Sequence, residues 1–450
     1  MKIYAPWEKT FEKVATPLEH FIHAQTTTGI VLIFMTIVAL ILANSPLHDV
    51  YEQIFHLTIS LNVGSWKLSH TIHHWINDGL MAIFFFLIGL EIKRNILVGE
   101  LSNIKVAILP ILAALGGMIV PALIYIAINH GLPSQNGWGI PMATDIAFAI
   151  SALVLLGNRV SPSLVTFLIA LAIVDDLGAV VVIALFYTEQ IHLLPLLLAG
   201  ASFLVMVAFN RFGIHAILPY LLVGMFLWFF MLESGVHATI AGVIAAMAIP
   251  SKPKQTPDDF SNHMRNSLDE YDNYPVATDY SLHEKQKAVL INMSERIESI
   301  QSPSARLEQA LHLPVSLIVI PLFALANAGI SIDFTHIDEA IVEPIALGII
   351  VGLVLGKVLG IAGVAFIATK LGIAKLPEGS TMNQVFGVAL LGGIGFTMSI
   401  FVAELAFYGN ASAIFQAKIG ILAASLFAGI LGFIWLRFIA KSPTEDGVSA

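Results

Sequence analysis

The sequence contains no cysteine, which excludes disulfides, thiol catalysis and cysteine-ligated metals. Charge is scarce as well: Asp, Glu, Lys and Arg make up 12% of the 450 residues, against 57% hydrophobic residues. The net charge of −9 says little about partners, since distribution matters more than the sum, and no nucleic-acid partner is expected. A cleavable leader is not expected either. Lys2, Lys9 and Lys13 are interleaved with Glu8, Glu12 and Glu19, and no short apolar core with a small-residue cleavage site follows.

What is abundant is apolar sequence. The mean hydropathy of +0.84 belongs to a polytopic membrane protein, not to a soluble domain with a large core. About twelve apolar segments can be marked, at 26–43, 76–91, 106–128, 139–157, 164–187, 193–210, 214–231, 236–250, 313–330, 344–369, 385–407 and 412–436. Several are short for a tilted span, and the fourth and eleventh are rich in glycine and polar residues. Around them lie a cytoplasmic N-terminal segment (1–25), spans one to eight (26–250), a long loop (251–312), spans nine to twelve (313–437) and a tail (438–450). Cytoplasmic loops carry the excess of Lys and Arg. Starting inside places Lys93, Arg94, Lys105, Arg159, Arg211, Lys370, Lys375 and Arg437 on one side with all of the long loop's basic residues. Only Lys67 and Lys418 fall opposite. Both termini are therefore expected in the cytoplasm.

Three connections stand out. Thr58–Ser69 alternates apolar Ile59, Leu61 and Val63 with polar positions, then resumes with Trp66 and Leu68 after Gly64-Ser65. Such alternation fits a β-hairpin, which would need a partner surface, or an interfacial loop. The loop 251–312 opens with Pro253 and Pro257 and runs acidic through Asp258, Asp259, Asp269, Glu270 and Asp272. Val289, Met293, Ile297 and Ile300 then recur at helical spacing, so the loop is expected to hold one amphipathic helix. His70, His73 and His74 have a spacing that could suit a metal, but no carboxylate or cysteine stands beside them; a water-facing helix end is the plainer reading.

The fifth span holds the pair around which the rest can be organised. Asp175 and Asp176 are adjacent in an otherwise uncharged segment, Leu164 to Phe186. Charge at mid-membrane is expensive and marks ion or proton pathways, unless the carboxylates are held in structural salt bridges or left protonated. Lys357 lies at similar depth in the tenth span and needs a counter-charge, so one of the two aspartates is its expected partner. The fourth span carries Pro141 to Asp145, with Thr144 inside that run. The eleventh carries Gly392, Gly393, Gly395, Thr397 and Ser399. Both read as interrupted helices whose freed backbone lines a cavity. Each is the middle helix of a triplet, spans three to five and ten to twelve, which is the pattern of inverted-topology repeats. The expected fold is all-α, with spans four and eleven interrupted and crossing. There Asp145 would balance exposed helix-end dipoles rather than bind an ion directly, and Thr144 could offer an oxygen to the ion or satisfy local backbone.

Adjacent carboxylates suit exchange of protons for a hard cation. Each can hold a proton or help coordinate sodium, not both at once. Two of them in a low-dielectric cavity resist losing both protons, and their titration is coupled. Alternating exposure to the two sides would turn that competition into exchange.

The runs WINDGLMAIFFFLIGLEIKR (75–94), ATDIAFAI (143–150), ALAIVDDLGAVVVIAL (170–185), SGVHATIAGV (234–243), PLFALANAGI (321–330) and GGIGFTMSIF (392–401) resemble the NhaA family of sodium/proton antiporters over nearly the whole chain. The family is itself a type example of the inverted-repeat plan, so that architecture is not independent of the resemblance. The resemblance implies Asp175 and Asp176 as the ion- and proton-binding pair and Lys357 as their partner. It places Asp145 and Thr144 at the helix crossing, with Gly395 accessory in the second interruption. Asp78 becomes an interior carboxylate, Glu91 a carboxylate of the cytoplasmic funnel, and His237, Arg306 and Glu308 residues of the pH response. It further implies electrogenic exchange with more protons than sodium ions per cycle, lithium transport, and no resident cofactor. It places the chain in a bacterial inner membrane, as a homodimer joined through the hairpin near Thr58–Ser69. Two departures are the long loop and Ala305, which stands where a basic residue is common.

Other classes fit less well. An intramembrane aspartyl protease needs two facing aspartates, whereas adjacent ones on a helix point about 100° apart. A sodium-coupled symporter should show a solute pocket beyond the ion site, and a channel would not couple protons at the aspartate pair.

Overall fold

Short local signals start the helices. Asn103 accepts a hydrogen bond from the Lys105 amide, Ser161 from Leu164 with Pro162 in the first turn, and Asn410 from Ala413. Thr381 and Gln384 form a reciprocal capping box. These side chains satisfy amide donors that helix starts leave unpaired, which matters most where no water can do so. The computed structural model describes residues 25–63, 66–188, 191–274, 282–331 and 341–440. The N-terminal lysines and glutamates, the hairpin tip Gly64-Ser65 and the end of the tail lie outside the described residues.

In chain order the elements used below are α1 (Gln25–Ala43), β1 (Thr58–Val63), β2 (Trp66–Thr71), α2 (Met81–Leu97), α3 (Ile104–Ile128), α4 (Ile146–Val154), α5 (Pro162–Phe186), α6 (Pro257–Asp272), α7 (Glu284–Ile300), α8 (Pro303–Pro314), α9 (Met382–Leu391), α10 (Phe396–Ala406) and α11 (Ala411–Ile434). Among the described residues seven helices are long and apolar enough to cross a membrane, or nine if each of two bent pairs is one span. This is a multi-pass helical membrane protein. Fewer spans stand out than the sequence suggests because several apolar segments make short helices. The seventh forms Ile217–Glu233, of 17 residues, and the eighth only Ile240–Ala248, of nine.

β1 and β2 pair antiparallel, from Thr58 opposite Thr71 to Val63 opposite Trp66, as the alternation predicts. The described residues fall into two compact units. One lies within Met1–Phe84, Asn95–Glu189 and Leu313–Ala450, the other within Phe85–Arg94 and Gln190–His312.

In the first unit α3 packs against both α5 and the segment Pro344–Lys370, which is not uniformly α-helical. Wider π-type turns, Gly352–Gly356 and Val358–Gly363, stand on either side of Lys357. Such turns often accompany functional positions. Gly116 of α3 meets Gly360 backbone to backbone; a Cβ at either would strike the other's carbonyl group. Only glycine allows that approach. It brings the Lys357 stem against Gly117, at 3.8 Å from the Cβ position.

In the second unit the long loop differs from expectation. It holds two helices, α6 and α7, rather than one. Thr256 caps α6, with Pro257, Asp258 and Asp259 in its first turn, and His283 with Gln286 forms a capping box for α7. The acidic stretch is thus helical as well. Of the apolar residues on α7, Val289 is buried whereas Ile297 is 52% exposed.

Candidate functional site

Lys357 has no exposed surface, and its Nζ lies 2.8 Å from Asp175 Oδ2. Nζ also donates to the carbonyl of Met142, where the chain is about to leave helical geometry. Asp175 and Asp176 are both buried, on the stretch of α5 that runs beside α3. The other oxygen of Asp175, Oδ1, is buried and has no hydrogen-bond partner. A charge pair removed from water is stable only with good geometry and satisfied lone pairs, and here one acceptor stands open. That open oxygen is the available ligand.

Next to this pair the chain twice abandons the helix. A 3₁₀ stretch, Pro133–Met142, gives way to extended Ala143–Asp145 before α4 begins. Further on, α9 and α10 meet at an angle of 49° across Gly392–Gly395. The two stretches bind each other. The Asp145 amide donates to the Ile394 carbonyl at 2.7 Å, and Thr144 Oγ1 to the Gly392 carbonyl at 3.0 Å. Asp145 Oδ1 accepts from the Phe148 amide, and Oδ2 from both the amide (3.1 Å) and hydroxyl (2.5 Å) of Thr397. One carboxylate thereby caps two helices, α4 and α10. At Gly395 the two stretches leave little room: a Cβ there would meet the Ser399 side chain and lie 3.1 Å from the Ala143 carbonyl.

Of two further contributors, only Thr397 stands out in the sequence, as a polar residue of the second interruption. Ser425 of α11 accepts from the Phe396 amide at 3.1 Å, and Thr397 supplies two donors to Asp145. A polar residue inside an apolar run was the available signal for Ser425; its target is far along the chain.

The remaining residues singled out in the sequence lie in separate groups. Asp78 Oδ2 is 3.0 Å from His74 Nε2, and the His70 and His74 rings stack at 4.1 Å. Burial lowers the pKa of His74. His73 Nε2 is 3.0 Å from Asn327 Oδ1. Among the described residues no three His, Cys, Asp or Glu are placed to hold a metal ion. In the second unit Arg94 Nε pairs with Glu308 Oε1 at 2.8 Å, with Glu91 one turn earlier on α2. Arg306 Nη2 pairs with Glu298 Oε2 of α7 at 2.6 Å. His237 stands in the turn before Ile240–Ala248, where its carbonyl accepts from the Ile240 amide.

A buried cation, a buried carboxylate with a free oxygen and a second carboxylate beside it form a site able to exchange one positive charge for another. Residues 19–436 match the family described as Na+/H+ antiporter 1. The chain belongs to this family. It is 73% identical to the Na(+)/H(+) antiporter NhaA of Sulfurimonas denitrificans over 442 residues, 98% of this chain and 100% of that one. It is 48% identical to the Na(+)/H(+) antiporter NhaA of Dichelobacter nodosus, over 99% of this chain and 97% of the relative. With the Na(+)/H(+) antiporter NhaA 1 of Saccharophagus degradans the identity is 46%, over 98% and 96%. These relatives are named as transporters, not enzymes.

Proposed function

We propose that the protein is an electrogenic secondary antiporter that exchanges sodium or lithium for protons. It moves more protons than sodium ions per cycle, is driven by the proton gradient, and needs no resident cofactor. The observation that carries this reading is the buried Lys357–Asp175 pair with Asp175 Oδ1 left open beside Asp176. An entering sodium ion competes with the Lys357 ammonium for Asp175, and Asp176 offers further oxygens. When the cation leaves, protons and the ammonium restore the balance. Both ions use the same oxygens, so neither moves without the other.

The architecture that goes with this reading is the one the family resemblance implies: twelve spans as inverted repeats, the fourth and eleventh interrupted and crossing, both termini cytoplasmic, in a bacterial inner membrane. Asp145 and Thr144 hold the crossing, Gly395 permits it, and Asp78 and Glu91 line the approaches. His237, Arg306 and Glu308 carry the pH response. The β1–β2 ribbon, marginal alone, joins two copies into a homodimer.

The test is sodium-dependent collapse of a preformed proton gradient in inside-out vesicles across a pH series, for the native protein and Asp176→Asn. Collapse in the native protein only is the expected result. A gradient that survives sodium at every pH, with folded protein present, would replace exchange by a symporter or channel.

A further inference from the structure

The outer side of the second bend faces a cleft of about 470 Å³ between α1, α4 and α11. That lies within the roughly 300–1,000 Å³ of small-molecule sites. Ile394 and Phe396, on either side of Gly395, contribute to its lining. Its rim includes Ile30 and Ile33 of α1, Leu155 just past α4, and Ile430 and Ile434 of α11, each of them exposed. A rim of exposed apolar side chains on spanning helices opens to hydrocarbon, where the surrounding solvent is lipid. Just beyond the lining, the chain continuing from α4 and from α11 carries two arginines that meet. Arg159 follows Leu155 by four residues, Arg437 follows Ile434 by three, and Arg159 Nη1 donates to the Arg437 carbonyl at 2.6 Å. Both arginines are exposed. Planar guanidinium groups at the end of an apolar channel match a phosphate joined to a hydrocarbon tail.

We propose that this cleft binds one anionic phospholipid from the bilayer, its acyl tail against Ile394 and Phe396 and its phosphate at Arg159 and Arg437. The tail then lies on the outer side of the bend whose inner side binds Asp145. The Ile394 carbonyl accepts from the Asp145 amide, and the Phe396 amide donates to Ser425 Oγ. Filling the cleft limits how far the bend can move outward, and emptying it releases that limit.

The experiment titrates the detergent-purified full chain with phosphatidylglycerol, phosphatidylcholine or glycerol phosphate and counts bound molecules by native mass spectrometry. The native protein should hold one phosphatidylglycerol more tightly than phosphatidylcholine, and glycerol phosphate should neither bind nor compete. Arg159→Gln with Arg437→Gln should weaken phosphatidylglycerol about tenfold and leave phosphatidylcholine unchanged. Gly429→Leu should abolish the tight site for both lipids by filling the cleft. Gly429→Ala is the milder control, since its added carbon meets Ile394 Cδ1 at 3.5 Å, an ordinary contact. It should weaken both lipids alike. Phosphatidylglycerol binding unchanged in the arginine and Gly429→Ala variants would overturn the proposal. So would competition by glycerol phosphate, which would make the arginines a site for soluble anions.

Discussion

Asp145 and Asp175 are equally buried, at 2% exposure each, yet they are held in opposite ways. Asp145 has both oxygens engaged by neutral donors: the Phe148 amide, the Thr397 amide and the Thr397 hydroxyl. Those donors belong to helix starts and cannot leave without unwinding them. Asp175 depends on one side-chain ammonium and has one oxygen free. On the proposed function, the difference separates scaffold from working group. A carboxylate tied to backbone donors fixes the joint between two helices, whereas one tied to a long side chain can change partners.

Lys357→Met would test this contrast hardest. It leaves Asp175 buried without its cation, and breaking such a pair costs about 3–5 kcal/mol. A lowered melting temperature should therefore accompany loss of sodium-driven proton flux. Added Asp175→Asn should restore the melting temperature, because the uncompensated buried charge is gone, while flux stays absent. Asp145→Asn should cost about 1–3 kcal/mol, because the amide cannot accept all three donors with both of its ends. Its thermal unfolding should shift down while cation-dependent stabilisation persists. If that stabilisation vanished with the scaffold residue, the division of roles would fail. Thr397→Val, which removes one donor to a carboxylate, should cost about 1 kcal/mol or somewhat more in the same assay. At the small end, Glu298→Gln breaks a pair whose side chains are 33% and 60% exposed. Its effect on denaturant unfolding should stay below about 1 kcal/mol and shrink with added salt.

Much of this was legible in the residues. Low charge and long apolar runs announce a membrane protein, period-two alternation marks the β1–β2 ribbon, and motifs such as GGIGFTMSIF point to the family. The placing of Lys357 against Asp175 rather than Asp176 was not legible, because adjacent residues differ only in the direction they face on α5. The partner of Thr397 and the role of Ser425 escaped for a related reason: each serves a segment brought close by folding, 252 and 29 positions away along the chain. Span number was also hard to read. Hydropathy reports how apolar a segment is, not whether a turn such as Ser234–Thr239 shortens its helix. The acidic start of the long loop hid α6, whose polar residues satisfy its caps and solvent face rather than a core.

That loop has ends that meet. The Ser304 amide donates to the Pro250 carbonyl at 3.1 Å, and the Lys254 amide to the Ser299 carbonyl at 3.1 Å. Everything between departs and returns through nearly one point, as a pendant does from its clasp. For an engineer this makes 255–298 a ready-made socket: a fluorescent reporter with closely spaced termini could replace α6 and α7 there, because the clasp itself would be kept.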